Sequence, residues 1–314
     1  MITFPTNQLV LEGSDLSGKS SLYRGIHKES GYRWNIQDRS FLSMLIYAKM
    51  YGRDTGLHAK GLWSELTNLN NRIVFLLPPE EAVLRRFAQR GDDIQDEDGV
   101  RRVHAMFEDH DWLGSFPNVL LMDNGKDGEA ALERAVTHAC AWAHAKESAD
   151  LEDVANEVRR FVSVMPTGAP DNMRGYETQL SFTLYDDLGF EESDSEIMAD
   201  EEEGEYYQGI LHRVMGKLGS ELAGHNEYSE KQDASSRRFV YTDDTCISFI
   251  QFLIRDGLLD MHVILRSTNV LKTFHKDLAF LYYLLSFVHG THQSVFDVRA
   301  ARMRIQLNSA HLVR

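Results

Sequence analysis

Eight consecutive residues carry the clearest chemistry in the sequence: Gly13-Ser14-Asp15-Leu16-Ser17-Gly18-Lys19-Ser20, with Ser21 following. They fit the pattern G-x-x-x-x-G-K-[ST]. Glycines let backbone N–H groups curl around phosphate oxygens, Lys19 supplies a mobile cation, and Ser20 is placed to bind Mg²⁺. At ordinary residue usage such a string arises by chance in a chain of this length roughly once in a hundred. The stretch is read as a nucleotide-phosphate site rather than a plain Gly/Ser turn.

Asp38-Arg39-Ser40 follows one strand later. At the C-terminal end of a parallel strand, an acid beside an arginine sits where open α/β sheets bind ligands. Asp38 there is suited to hold a water of Mg²⁺ or to act as base toward an attacking hydroxyl, and Arg39 to hold a phosphate. The competing use of Asp38 is to cap the next helix. Three further arginines, Arg85, Arg86 and Arg90, fall in one helical segment. They complement the C-terminal end of its dipole, and such arginines also close over a transferred phosphate.

The second half holds a thiol constellation. Asp256-Gly257 lies between two apolar, alternating runs and reads as a tight hairpin turn. A two-residue turn places Cys246 opposite Ser267, next to Arg266. A cation beside a thiol favours the thiolate, so Cys246 is a candidate nucleophile near a phosphate-bearing ligand.

Elements that must position these groups follow from periodicity. Leu9-Val10-Leu11 reads as the strand before the phosphate loop, and a helix opens at Ser21. Tyr32 to Gln37 is a short strand, and Phe41 to Tyr51 a helix. Arg72 to Leu77 is a strand closed by Pro78-Pro79, and Pro79 to Gly91 a helix. Val119 to Asp123 is a strand, and Gly128 to Lys146 a helix. Alternation of this kind gives a parallel, doubly wound α/β sheet.

Composition bounds the rest. The chain has 314 residues, 43% hydrophobic and 10% aromatic, enough for packed cores and about two domains. The net charge of −15 argues against broad electrostatic binding to nucleic acid. Two cysteines make no disulfide framework, and no signal peptide or membrane-length apolar run is visible, so a soluble, cytoplasmic protein is expected. The Pro166–Pro170 cluster marks a boundary. The expected division is 1–147, a linker at 148–172 with a charged helix-like segment from Leu151 to Val162, and a second domain at 173–314. An acidic stretch at 191–205 reads as a solvated loop.

Glu12-Gly13-Ser14-Asp15, the Asp38-Arg39-Ser40 motif, the Pro-Pro-Glu strand end and the arginine-bearing helix together resemble the P-loop thymidylate kinase and deoxynucleoside kinase group. The resemblance implies ATP, Mg²⁺ and phosphorylation of a pyrimidine deoxynucleotide or deoxynucleoside. Gly13 to Ser21 would hold ATP, Ser20 the Mg²⁺, and Lys19, Asp38 and Arg39 would be catalytic, with Arg85, Arg86 and Arg90 as lid. The sequence departs from the group in the short span between Lys19 and Asp38, which omits the usual acceptor-binding segment. Compact phage kinases for hydroxymethylpyrimidines are similar in this respect.

Cys246-xxxx-Gln251-Phe252, the Asp256-Gly257 turn and Arg266-Ser267 resemble thymidylate synthase and deoxycytidylate hydroxymethylase, with the spacing kept throughout. The resemblance implies a shortened α+β synthase-like domain that pairs into a homodimer. It makes Cys246 the nucleophile toward pyrimidine C6, Arg266 and Ser267 phosphate binders, and Arg237 and Arg238 the arginine pair lent across the dimer. Asp277 falls at the base-reading position, and Asn269 stands where the family has an aspartate. Ile247 and Leu265 replace the family's His and Gln, and the side that binds methylenetetrahydrofolate is mostly absent.

The expected protein is thus an ATP-dependent kinase for a pyrimidine deoxynucleotide, joined to a synthase-like domain that binds a pyrimidine deoxynucleoside monophosphate. Three alternatives stay open: active C1 transfer using a folate, a non-catalytic binding and dimerisation module, and a kinase acting on hydroxymethylpyrimidine in DNA.

Overall fold

A computed structural model of the chain describes residues 2–91, 94–147, 150–165, 173–186, 204–228, 239–296 and 298–313. It divides into two compact units: Thr6–Glu147, and Met1–Pro5 together with Ser148–Arg314. Strand β1 (Ile2–Thr3) belongs to the second unit, so the first unit is an insertion in the chain of the second.

The inserted unit is a parallel four-stranded sheet. Its strands are β2 (Gln8–Gly13), β3 (Ile36–Asp38), β4 (Asn71–Leu76) and β5 (Val119–Met122), in the order β3-β2-β4-β5. Every residue of β4 is buried, as expected for a central parallel strand covered on both faces. On one face α1 (Lys19–Glu29) and α6 (Glu129–Glu147) pack Leu22, Ile26, Val136 and Ala139 against Leu9, Leu11, Val74 and Leu76. Each large apolar side chain buried here contributes roughly 1.5–3 kcal/mol. The other face is covered by α2 (Phe41–Met50), α3 (Gly56–Thr67), α4 (Glu80–Arg90) and α5 (Glu97–Glu108), with Phe107 of α5 6.2 Å from Phe75 of β4. The sequence signalled neither α3 nor α5. Tyr32, expected in a strand, stands in a turn with φ 62°, and β3 begins only at Ile36.

The second unit is α+β. After α7 (Leu151–Val164) come β6 (Met173–Asp186), α8 (Gly204–Tyr228), β7 (Val240–Thr242), β8 (Ile247–Arg255), β9 (Leu258–Leu265), β10 (Thr268–Asn269), α9 (Phe274–Phe296) and β11 (Ala300–Val313). The sheet runs β1-β6-β11-β9-β8-β7, mixed in direction, with β10 beside β11. Phe182, Leu184, Met303, Ile305, Met261 and Val263 are buried, as are Val158 and Phe161 of α7, Ile210 and Val214 of α8, and Leu281 and Leu285 of α9. The opposite register positions are polar: Asp260 accepts from Arg302 Nε at 3.0 Å and pairs with Arg304 at 2.8 Å.

Two expectations change. Residues 151–164 are not a linker but a helix of the second unit, with Val154, Val158, Phe161 and Val162 buried. The first domain does not begin at residue 1, because Ile2 and Thr3 pair with Asp186 and Tyr185. Residues 166–172 and most of the acidic stretch, 191–203, lie outside the described residues. Among the described residues no helix is long and apolar enough to cross a membrane.

Candidate functional site

The phosphate loop joins the C-terminal end of β2 to α1. Gly13 has φ 142° and a Cβ there would sit 2.4 Å from the carbonyl oxygen of Leu76. Gly18 has φ 96° and a Cβ would meet Asn124 Nδ2 at 2.5 Å. Only glycine fits both demands, left-handed backbone and contact with a neighbouring strand or side chain. Leu16 also takes positive φ, 63°. Successive turns of opposite hand form a concave nest of backbone N–H groups. No side chain caps α1, so the positive end of its dipole serves the loop.

Lys19 lies at 5% exposure. Its ammonium donates to Gly13 O at 2.7 Å, Ser14 O at 2.6 Å and Ser17 Oγ at 3.4 Å. Burial, and next the charge of Arg39, pull its pKa down to about 8, against Asp15, Glu12 and Asp38. Ser14 is held from beneath by His104 of α5, Oγ to Nδ1 at 3.1 Å.

A cleft of about 560 Å³ opens over the loop. Its walls bring together Asp15, Lys19, Ser20, Ser21, Asp38 and Arg39 with Arg86 and Arg90. Asp38 is exposed at the end of β3. Arg39 has φ 71°, pairs with Asp15 and lies over the Tyr47 ring, 5.6 Å from its centroid. Tyr47 also donates to Asp15, and burial first, then that bond, raises its pKa.

Of the three candidate lid arginines, Arg86 reaches the loop. Its Nη1 donates to Leu16 O at 3.0 Å, its Nη2 to Asn124 O, and its Nε to Asp127 at 2.7 Å. Arg85 points to Asp127 and Gly125 O, at 2.6 and 2.8 Å. Arg90 lines the cleft. Asn124, Asp127 and His104 had no sequence motif to announce them; Asn124 Nδ2 donates to Ser17 O at 3.1 Å, which ties the β5 end to the loop.

The residues present fit a magnesium nucleotide: two glycines whose Cβ positions are taken, a buried ammonium, and the Ser20 hydroxyl at the start of α1.

In the second unit the hairpin register holds from Arg255↔Leu258 to Phe249↔Ile264, then shifts between Phe249 and Ile247. Ser248 is the extra residue of a β-bulge. Cys246 therefore stands beside Arg266, whose N–H donates to Cys246 O at 2.9 Å, and not opposite Ser267. The thiol is exposed. Burial of its surroundings pushes its pKa up, Asp277 adds to this, and Arg266 works against both. Arg266 acts on the thiol in the expected direction and is outweighed.

Asp277 is buried in the first turn of α9, accepting from Tyr207 OH at 3.0 Å and Thr268 Oγ1 at 3.2 Å. Asn269 Oδ1 accepts from Leu271 N at 3.1 Å and shapes the turn into α9. Arg266 is exposed and Ser267 half-buried. Arg237 and Arg238 lie outside the described residues.

No family model matches the sequence, and no curated protein matches it. Among solved structures, thymidylate synthase from T4 phage is similar over 26% of this chain and 32% of its own, at 19% identity and a TM-score of 0.23. The chain thus spans about a third of the length of that synthase. The YorR protein of Bacillus subtilis, solved with phosphorylated GDP, is similar over 45% of this chain and 100% of its own, at 16% identity and TM-score 0.35. Deoxyadenosine kinase from M. mycoides, solved with dCMP and dCDP, is similar over 43% of this chain and 99% of its own, at 12% identity and TM-score 0.32. Each likeness covers part of the chain, alongside a parallel α/β unit built on a P-loop and an α+β unit with a mixed sheet.

Proposed function

We propose that the Thr6–Glu147 unit transfers a phosphoryl group from ATP to a pyrimidine deoxynucleotide, and that the second unit binds a pyrimidine deoxynucleoside monophosphate. The observation that carries the first part is the buried Lys19 inside the Gly13–Ser20 loop, facing Arg86 across one cleft with Asp38.

In this reading the loop N–H groups and Lys19 hold the donor phosphates, and Ser20 holds Mg²⁺. Mg²⁺ supplies charge neutralisation on the phosphate oxygens when bound. Lys19 and Arg86 offset the charge that develops on the transferred phosphoryl group. Asp38 orients the acceptor oxygen, taking its proton where that oxygen is a hydroxyl, as it attacks phosphorus and the bond to the leaving ADP oxygen breaks. Arg39, fixed by Asp15, orients the acceptor. A screen of nucleosides and monophosphates with labelled ATP tests this. Transfer to a pyrimidine acceptor that Lys19→Ala abolishes supports it, and transfer unaffected by Lys19→Ala refutes it.

For the second unit, the raised thiol of Cys246 and the two hydroxyl donors on Asp277 favour a non-catalytic nucleotide-binding module over C1 transfer. Pairing of two copies through this unit is part of the reading. Tritium release from 5-labelled dCMP or dUMP, lost in Cys246→Ser, would instead establish Michael addition by the thiol.

A further inference from the structure

Behind the Asp38–Arg39 turn lie two buried carboxyl groups that phosphate binding does not use. Glu12 of β2, 1% exposed, accepts the N–H of Ser40 at 2.7 Å and of Ser43 at 3.2 Å on Oε1, and the Ser43 hydroxyl on Oε2. Glu65 of α3, 6% exposed, accepts the Ser40 hydroxyl on Oε1 at 2.5 Å. Its Oε2 is buried with no hydrogen-bond partner among the described residues. Ser40 therefore gives its N–H to one carboxyl and its O–H to the other.

The donor count separates the two acids. Burial raises the Glu12 pKa, and its three donors and the Lys19 ammonium of α1 oppose that shift, so of the two acids it is the better seat for an anion. Glu65 receives one donor, leaves an oxygen bare and has Glu12 as its charged neighbour, an environment for a neutral acid. Around Glu65, the neutral Ser40 just before α2 bonds the carboxyl group, and Asn71 of β4 donates its side-chain amide to the backbone carbonyl oxygen of Glu65 at 3.1 Å. Burial raises the Glu65 pKa to about 7, with the Ser40 bond lowering it and Glu12 raising it.

We propose that Glu12 and Glu65 share a single proton, held on Glu65, and that this Ser40-bridged pair fixes the Asp38–Arg39 turn for phosphoryl transfer. The proposal rests on the reading of this unit as a phosphoryl-transfer site. Arg39 takes its left-handed φ between β3 and the doubly anchored Ser40, and that geometry turns its guanidinium to Asp15. Ionisation of Glu65 would set two anions against one serine, and the turn would lose its anchor. Glu65 is a positioning residue, acting through Ser40.

Thermal unfolding of the full chain from pH 5 to 8, and transfer kinetics from pH 6 to 8.5, test this in wild type, Glu65→Gln and Ser40→Ala. The folded chain keeps the Glu65 proton up to about pH 7, whereas the unfolded chain releases it at the ordinary carboxylate value. Stability from this group is full below the unfolded value and is lost as pH rises through 7, so the wild-type Tm falls over that window and Glu65→Gln lacks that slope. The ratio of kcat in Glu65→Gln to wild type rises about 30-fold from pH 6 to 8.5, a ratio from which Lys19 titration cancels. Ser40→Ala keeps both carboxyls yet lowers kcat about tenfold, with KM for ATP within about twofold. Parallel melting profiles of wild type and Glu65→Gln overturn the shared proton, whatever the acceptor. A constant kcat ratio, or an unchanged kcat in Ser40→Ala, overturns the positioning role. If no acceptor is phosphorylated, the transfer reading fails and takes the positioning role with it, while the melting profiles still decide the proton.

Discussion

Arg86 donates from Nη1 to the carbonyl oxygen of Leu16 at 3.0 Å, and Leu16 presents that carbonyl from a backbone with φ 63°. The bond fastens α4 to the crest of the phosphate loop. It also separates Arg86 from Arg85 one residue earlier, whose side chain goes to Asp127 and Gly125. Adjacent arginines of one helix thus have different tasks.

That difference predicts unequal mutants. Arg86→Ala should lower kcat for phosphoryl transfer about 100-fold, because it removes a fixed cation from the cleft. Arg85→Ala, an exposed pair with Asp127, should change it less than about threefold. Initial rates with labelled ATP compare the two; equal losses would remove the distinction.

Lys19 predicts a pH dependence of binding. Its pKa of about 8 in the free protein means that the ammonium loses its charge as pH rises through 8. ATP affinity by calorimetry should therefore fall between pH 7 and 9, with net proton uptake on binding near pH 8 as phosphate favours the charged form. Lys19→Arg, charged throughout, should abolish the proton uptake. An affinity independent of pH across that range would contradict it.

The two loop glycines should differ in cost. Gly13→Ala forces a Cβ against the Leu76 carbonyl of the central strand, which cannot step aside, and should cost about 3 kcal/mol or more. Gly18→Ala meets the Asn124 amide, a side chain that can turn away, and should cost about 1–2 kcal/mol. Tm values of the variants rank them, and the reverse order would show that the loop shifts as a whole.

Cys246 should alkylate slowly for an exposed thiol. Arg266 is the one group lowering its pKa among those acting on it, so Arg266→Ala raises the pKa further and should slow iodoacetamide labelling about twofold to fivefold at pH 8. Cys140, buried and held at about 11, should not compete for the label. Faster labelling in Arg266→Ala would place the thiol in a different environment.

The phosphate loop was legible because its demands are local: a strand, two glycines, a lysine and a helix within one short stretch. The Asp256-Gly257 turn was legible for the same reason. The bulge at Ser248 was not, since nothing in the alternation of Cys246 to Arg255 marks an unpaired residue, and one residue of slip moved the partner of Cys246 from Ser267 to Arg266. Asp277 lost its apparent freedom to Tyr207 and Thr268, which come from α8 and β10 and meet only in the folded chain. Glu65 gave no signal, because the helix that carries it was not signalled either. His104 gave no signal in the sequence, although it touches Ser14 from a helix ninety positions away. Groups that act through long-range contacts carry no spacing of their own.

The pairing of Ile2 and Thr3 with Asp186 and Tyr185 sets an order of events during folding. The edge strand leaves the ribosome well before its partner, and cannot pair until β6 exists. Meanwhile the inserted unit can close its own sheet, and Thr6 N meets the Glu147 carboxylate at 3.3 Å, bringing the unit's two ends together. Once folded, that unit shortens the effective loop between β1 and β6 and lowers the entropic cost of closing it by about 1 kcal/mol. The inserted unit is in this sense a folding clip for its neighbour: variants that unfold it, Gly13→Ala among them, also leave the second sheet to find its edge strand across a long free chain.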